Sequence, residues 1–127
     1  GFAKKFPNIN FISAHMNDPR IFECAAYTAE HANMFCDFSG LFETGYSNEE
    51  ELEDLAVLYG LAIRSVPGLE DRFLYGSDFC PPINLSALEV YSKLIEMIFS
   101  PDELERIYFK NALRAFPRLS EYIEDLK

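Results

Sequence analysis

The order in which short apolar runs and longer amphipathic stretches alternate is what most narrows the folds open to this chain. Residues 9–15, Ile-Asn-Phe-Ile-Ser-Ala-His, follow Pro7-Asn8 and read as a buried strand, being short, mostly apolar and bounded by polar residues. Asp18-Pro19 then offers an oxygen-bearing cap and a first-position proline for a helix with Ile21, Phe22, Ala25, Ala26 and Ala29 on one face, ending near His31-Ala32-Asn33. Met34 to Phe38 form a second strand closed by Ser39-Gly40. Ser47 and Glu50 make a capping box for a helix striped by Leu52, Leu55, Ala56, Leu58, Tyr59 and Ile63, which Val66-Pro67-Gly68 stops. Arg72 to Ser77 are a third strand ending at Asp78, and its helix runs from about Ser86 to Phe99. Ser100-Pro101-Asp102-Glu103 starts another helix, which should stop before Pro117, with a short helix or tail over 120–127.

Strands that alternate with helices in this way are parallel and joined by right-handed crossovers. Each strand then delivers polar residues at its C-terminal end: His15, Asp37 with Ser39, and Asp78. In parallel α/β folds that edge binds ligands, so the three ends are expected to face one site. From His15 to Asp78 the chain makes two units in 63 residues, about 31 each, and eight such units give the roughly 250 residues of a closed barrel. The expected fold is therefore α/β, the C-terminal portion of a (β/α)8 TIM barrel, with residues 1–127 forming one partial domain of three parallel strands. Residues 1–7 read as the end of a helix, so the chain is expected to begin in mid-fold.

A formal net charge of -10, with 11 scattered basic residues, excludes a phosphate-binding stripe and so argues against nucleic acid. No apolar run approaches the roughly 20 residues of a membrane span. Cys24, Cys36 and Cys80 form no CxxC or CxxH pair, which favours reduced thiols and a cytoplasmic location.

Four blocks carry a resemblance. Phe6-Pro7 followed by an apolar strand and His15 is similar to the sixth strand of the amidohydrolase-related family. Asn33 to Gly40 resemble its seventh strand, and Arg72-Phe73-Leu74-Tyr75-Gly76-Ser77-Asp78-Phe79 its eighth, with the characteristic Gly-Ser-Asp-aromatic phrase. Ile107 to Phe116 resemble its closing helix. The blocks occur in family order and cover most of the chain. The chain departs from the pattern where Met16 follows His15 and where Cys80 precedes Pro81-Pro82. The family's strand-one His-x-His pair and strand-five His have no counterpart here, since His15 and His31 are the chain's histidines.

The resemblance implies a metal-dependent hydrolase acting on a small molecule, with water activated by a divalent ion, zinc in the first instance, attacking an ester, lactone or amide carbon. It also implies two catalytic residues: Asp78, as metal ligand or proton acceptor, and His15, which assists water or polarises the substrate. A carboxylate suits such an ion and an imidazole exchanges protons near neutral pH. Non-oxidative decarboxylation is the alternative within the family, and a truncated, non-catalytic module the alternative outside it.

Other polar residues have plainer readings. Asp37 and Ser39 are expected to shape the second strand's loop, His31 to complete a helix C-terminus, and Cys80 to sit in a structural loop. Strand alternation, counted back from His15 and Asp78, points Phe11, Ser13, Leu74 and Gly76 to the barrel interior and Ile12, Phe73 and Tyr75 to the helices. Strands cut from a barrel have open edges, so self-association, or pairing with the missing barrel half, is expected.

Overall fold

A computed structural model of the protein describes residues 1–41, 49–78 and 86–124. Its sheet has two parallel strands, β1 (Phe11–Ser13) and β2 (Met34–Cys36), in register Phe11 to Met34, Ile12 to Phe35 and Ser13 to Cys36. Helix α1 (Phe2–Lys5) precedes β1, and α2 (Ile21–Glu30) makes the crossover to β2. After β2 come α3 (Glu49–Arg64) and α4 (Ser86–Ile98). Next are α5 (Pro101–Glu105) and α6 (Asn111–Ala115), joined by a single π turn over Arg106–Lys110, and then α7 (Leu119–Glu124). This mixed arrangement with a small parallel sheet is compatible with part of a β/α barrel. No helix among the described residues is long and apolar enough to cross a membrane.

The third strand is reduced to one isolated parallel bridge, Phe73 to Cys36. Cys36 N–H donates to the Arg72 carbonyl (3.1 Å) and Leu74 N–H to the Cys36 carbonyl (2.9 Å). Beyond that the described residues form no strand, and on the edge away from β2 the Tyr75 N–H donates to the Ile107 carbonyl in the π turn (3.2 Å). Both strands are shorter than their apolar runs. β1 stops at Ser13 because Ala14–Asn17 form a tight turn in which His15, Met16 and Asn17 have φ of 58°, 45° and 55°. The same turn displaces the expected helix start: the Asp18-Pro19 bond is cis, α2 begins at Ile21, and the Asp18 carboxylate accepts from Tyr59 Oη (3.5 Å) instead of capping.

The core lies on one face of the sheet. Cys36 and Phe73 there meet Ile21, Cys24 and Ala25 from α2, Leu52, Tyr59 and Ile63 from α3, and Tyr91, Leu94 and Ile95 from α4. Aromatic rings link these layers, Phe38 lying 4.8 Å from Phe73 and 5.6 Å from Tyr59, and Phe73 5.3 Å from Phe99. Of the residues assigned to helix faces, Phe22, Ala26 and Leu58 are exposed, while Cys24 and Thr28 join the buried face of α2. The opposite sheet face holds a smaller cluster of Phe35, Leu74 and Ala115.

Polar side chains tie the strand starts to helix ends. Asn33 Nδ2 lies within hydrogen-bond distance of the carbonyls of Ala3, Phe6 and Ile9 (3.1, 3.0 and 2.8 Å), fixing α1 beside β2. Asn10 Nδ2 bonds the Arg114 and Ala115 carbonyls at the end of α6. Arg72 donates to the Thr28 and His31 carbonyls, closing α2, whose last turn also has His31 Nδ1 on the Tyr27 carbonyl (2.9 Å). The closing helix thus braces the strand starts, opposite the edge that carries His15.

The expected box at Ser100 forms, Glu103 accepting from Ser100 N–H (2.8 Å), and the same carboxylate grips Arg64 through both oxygens (2.6 and 2.7 Å). The Arg64 guanidinium, helped by the Ser100 donors, holds the Glu103 carboxyl at about 2, below its ordinary 4.5. A carboxyl lowered on folding stabilises the fold above its unfolded value and loses that contribution as pH falls from 4.5 through about 2. With Arg64 half-exposed, the loss is on the order of 2 kcal/mol. Urea midpoints measured down through this window should fall, and Glu103→Gln should flatten that dependence. The Ser47 capping box lies outside the described residues.

Candidate functional site

The turn after β1 sets the site. Three successive non-glycine residues at positive φ, His15 to Asn17, hold the chain in a conformation that L-residues pay to adopt, on the order of 1 kcal/mol each. What holds it is β2's end. His15 N–H donates to Asp37 Oδ1 (3.0 Å), Met16 N–H to the Asp37 carbonyl (2.5 Å), and Asp37 N–H to the Ser13 carbonyl (3.3 Å). Asp37 Oδ1 also accepts from Ser39 N–H (3.0 Å) and Ser39 Oγ–H (2.6 Å). One carboxylate oxygen therefore pins both strand ends.

The imidazole is placed by the same loop. His15 Nδ1 lies 2.6 Å from the Ser39 carbonyl oxygen and 3.1 Å from Ser39 Oγ. A carbonyl can only accept, so Nδ1 carries the proton, and Ser39 Oγ, having given its own proton to Asp37, accepts from the same N–H. The neutral ring then has its lone pair on Nε2. Such a group takes a proton at Nε2 and returns it, while Nδ1 stays tethered. His15 is half-buried and Ser39 buried, so the tether is shielded and the ring keeps a path to solvent.

Two glycines make room. A Cβ at Gly40 would come within 2.5 Å of His15 Nδ1, and φ of 74° there already favours glycine. A Cβ at Gly76 would press on Asp37 Oδ2 at 3.2 Å. The Gly76-Ser77-Asp78 phrase therefore passes directly beside Asp37.

Of the three strand ends expected to converge, two are joined by hydrogen bonds. Asp78 follows Gly76 by two residues, is exposed, and has φ of 54°. Among the described residues no hydrogen bond ties Asp78 to His15, Asp37 or Ser39. Asp37 and Ser39, expected to shape their own loop, do so and also hold His15. The sequence signal for that second role was their position at the same strand edge. The face assigned to β1 is reversed. Ser13 pairs with core-facing Cys36 and lies toward α2, whereas Ile12 pairs with Phe35 on the other side. The assignment for Phe73 and Leu74 stands. Alternation could not be counted back from His15 through a left-handed turn.

The divalent ion implied by the resemblance does not fit the donors of the described residues alone. Among the described residues, no group of three or more His, Cys, Asp and Glu side chains could hold a metal. Tight zinc sites take three or four protein ligands. His15 Nδ1 and Asp37 Oδ1 already have partners, which leaves His15 Nε2, Asp37 Oδ2 and the separate Asp78. Cys80 lies outside the described residues.

No curated protein and no solved structure matches the chain. A family model described as amidohydrolase matches residues 1–118, nearly its whole length. That span contains the β1 turn, the Asp37–Ser39 loop and the Gly-Ser-Asp segment together, and the chain belongs to the amidohydrolase family.

Proposed function

We propose that this chain is the C-terminal strand–helix portion of a β/α barrel hydrolase that cleaves an ester, lactone or amide bond of a small molecule. His15 serves as the proton-transferring group, and Asp78 as the second carboxylate of the site. The observation that carries this reading is the lock on His15 Nδ1 by the Ser39 carbonyl at 2.6 Å, which leaves Nε2 to act. A side chain needed only for packing has no use for a fixed tautomer, whereas a base that takes a proton from water does. Asp37 and Ser39 are positioning residues, acting through the imidazole. The family generally uses divalent metals, and zinc is the ion proposed for the complete site. Most of its ligands would come from outside the described residues. Cys24 and Cys36 are free thiols, which supports the cytoplasmic location proposed with this function.

The test is a panel of carboxylic esters, lactones and amides, run beside unsaturated and aromatic carboxylic acids, with the complete enzyme supplied with zinc. Hydrolysis that depends on His15 is the expected result. Release of carbon dioxide without hydrolysis would replace this reading by decarboxylation. Inertness toward the whole panel, at full metal loading, would favour a non-catalytic module.

The chain by itself should associate. Among the described residues β1 pairs along one edge, and Phe2, Ile9 and Ile12 are exposed. Exposed apolar groups beside an open strand edge favour strand pairing between copies, or docking of the rest of a barrel. Sedimentation equilibrium over a wide concentration range should show reversible self-association. A cooperatively melting monomer at every concentration would contradict it.

A further inference from the structure

Helix α3 carries two stripes, and the core uses one of them. Leu52, Tyr59, Ala62 and Ile63 are buried on its inner side, in the core shared with α2 and α4. On its outer side Glu50, Asp54, Val57, Leu61 and Arg64 follow one another at spacings of four, three, four and three residues, and all five are exposed. That spacing sets them in one line along the helix, the line along which a second helix packs. Val57 and Leu61 are 63% and 60% exposed, with Leu58 beside them at 43%. Apolar side chains gathered in this way, rather than scattered singly, mark a contact surface. Gly60 flanks them on the other side, and a Cβ there would meet nothing within 4 Å. Glycine weakens a helix interior, and a bare flank here lets another backbone come close.

The charges on this line decide what fits it. From Glu50 to Arg64 they run acid, acid, apolar, apolar, base. We propose that a second copy of this chain packs its own α3 antiparallel on this face, about a two-fold axis at the level of Tyr59. Val57 then faces the partner's Leu61, and Asp54 faces the partner's Arg64. A two-fold contact needs a surface complementary to itself, and this order of charges is so only when turned end for end. A parallel pairing would set Asp54 on Asp54 and Arg64 on Arg64. In the antiparallel pair the two Asp54 carboxylates lie about 15 Å apart along the seam, past the screening length of roughly 8 Å at physiological salt. Arg64 is held in place by Glu103 and the Ile98 carbonyl, with its side chain 45% exposed. A guanidinium has more N–H donors than one carboxylate can occupy, so it can take a second. The ion pairs set orientation, and the apolar pair supplies affinity. This face points away from the core and not along the free edge of β1, so closing a barrel would leave it open.

The seam is small beside the roughly 20–30 residues a side of a stable interface, so the dimer is weak and NMR at millimolar concentration reads it. In a mixture of isotope-labelled and unlabelled chain, filtered NOEs are expected from the Val57 methyls of one copy to the Leu61 methyls of the other. Dilution should shift the amides of residues 54–64. Leu61→Glu should abolish both signals and leave the melting curve unchanged, since that side chain is mostly exposed. Asp54→Lys, which sets a cation against the partner's Arg64, should weaken the dimer about fivefold. The wild-type spectra decide the matter should either variant fail to fold. Dilution shifts confined to β1, or NOEs between copies that survive Leu61→Glu, would overturn this pairing while sparing the strand-edge association. Spectra that stay constant on dilution, with no NOEs between copies, would overturn both.

Discussion

Replacing His15 by asparagine in the complete enzyme is expected to lower turnover by about 10²–10⁴-fold, the span usual for loss of an acid–base group. Asparagine isolates the effect. It tolerates the left-handed backbone at φ 58°, and its amide N–H can still reach toward the Ser39 carbonyl. What it lacks is a nitrogen that takes up and releases a proton. Asp78→Asn should cost a similar factor at equal metal loading. Turnover within twofold of wild type would reduce either residue to a structural role. Ser39→Ala should act differently, changing the pH profile and kcat through a loosened imidazole while KM changes little.

Phe73→Ala should destabilise the fold by about 3–5 kcal/mol, the usual cost of removing a fully buried aromatic ring. Phe73 is fully buried between Phe38 and Phe99, and its backbone makes the bridge to β2. Its carbonyl also accepts from Asn111 Nδ2 (2.8 Å), a side chain that is itself buried and bonds the Glu70 carbonyl. The cavity would therefore open at the joint of sheet, α4 and closing helix. For a domain whose whole stability is about 5–15 kcal/mol, such a loss consumes a large share. Urea unfolding measures it directly, with Phe109→Ala as the control. Phe109 is about half-exposed (47%), so its loss should cost far less. Equal costs at the two positions would mean that the aromatic core is misplaced.

Local signals were legible where local chemistry decides. The stop of α3 at Val66-Pro67-Gly68 and the Ser100–Glu103 box each depend on residues within a turn of one another. The readings that failed depended on distant parts of the chain. The third strand's apolar run is as strand-like as the others, but it makes only the Phe73 bridge to β2, and its far edge meets Ile107, 32 residues on from Tyr75. The Asp18-Pro19 pair reads as a helix start, yet the residues before it are recruited into a turn held by Asp37.

The site was half legible for the same reason. His15 stood out by its place at a strand end, and Asp37 and Ser39 shared that edge. Their grip on the imidazole requires a left-handed turn in one strand's loop, a positive-φ glycine in the next, and Gly76 close to Asp37 in a third segment. No pattern in a single stretch of sequence encodes three such approaches together.

The central claim is that Asp37 and Ser39 hold His15 with Nδ1 protonated and Nε2 bare, ready to take a proton. Long-range proton–nitrogen correlation NMR of the neutral His15 ring tests it without knowledge of the substrate. A pyrrole-like Nδ1 and a pyridine-like Nε2 are expected. A ring protonated at Nε2, or one already averaged between tautomers in the wild-type protein, would contradict it.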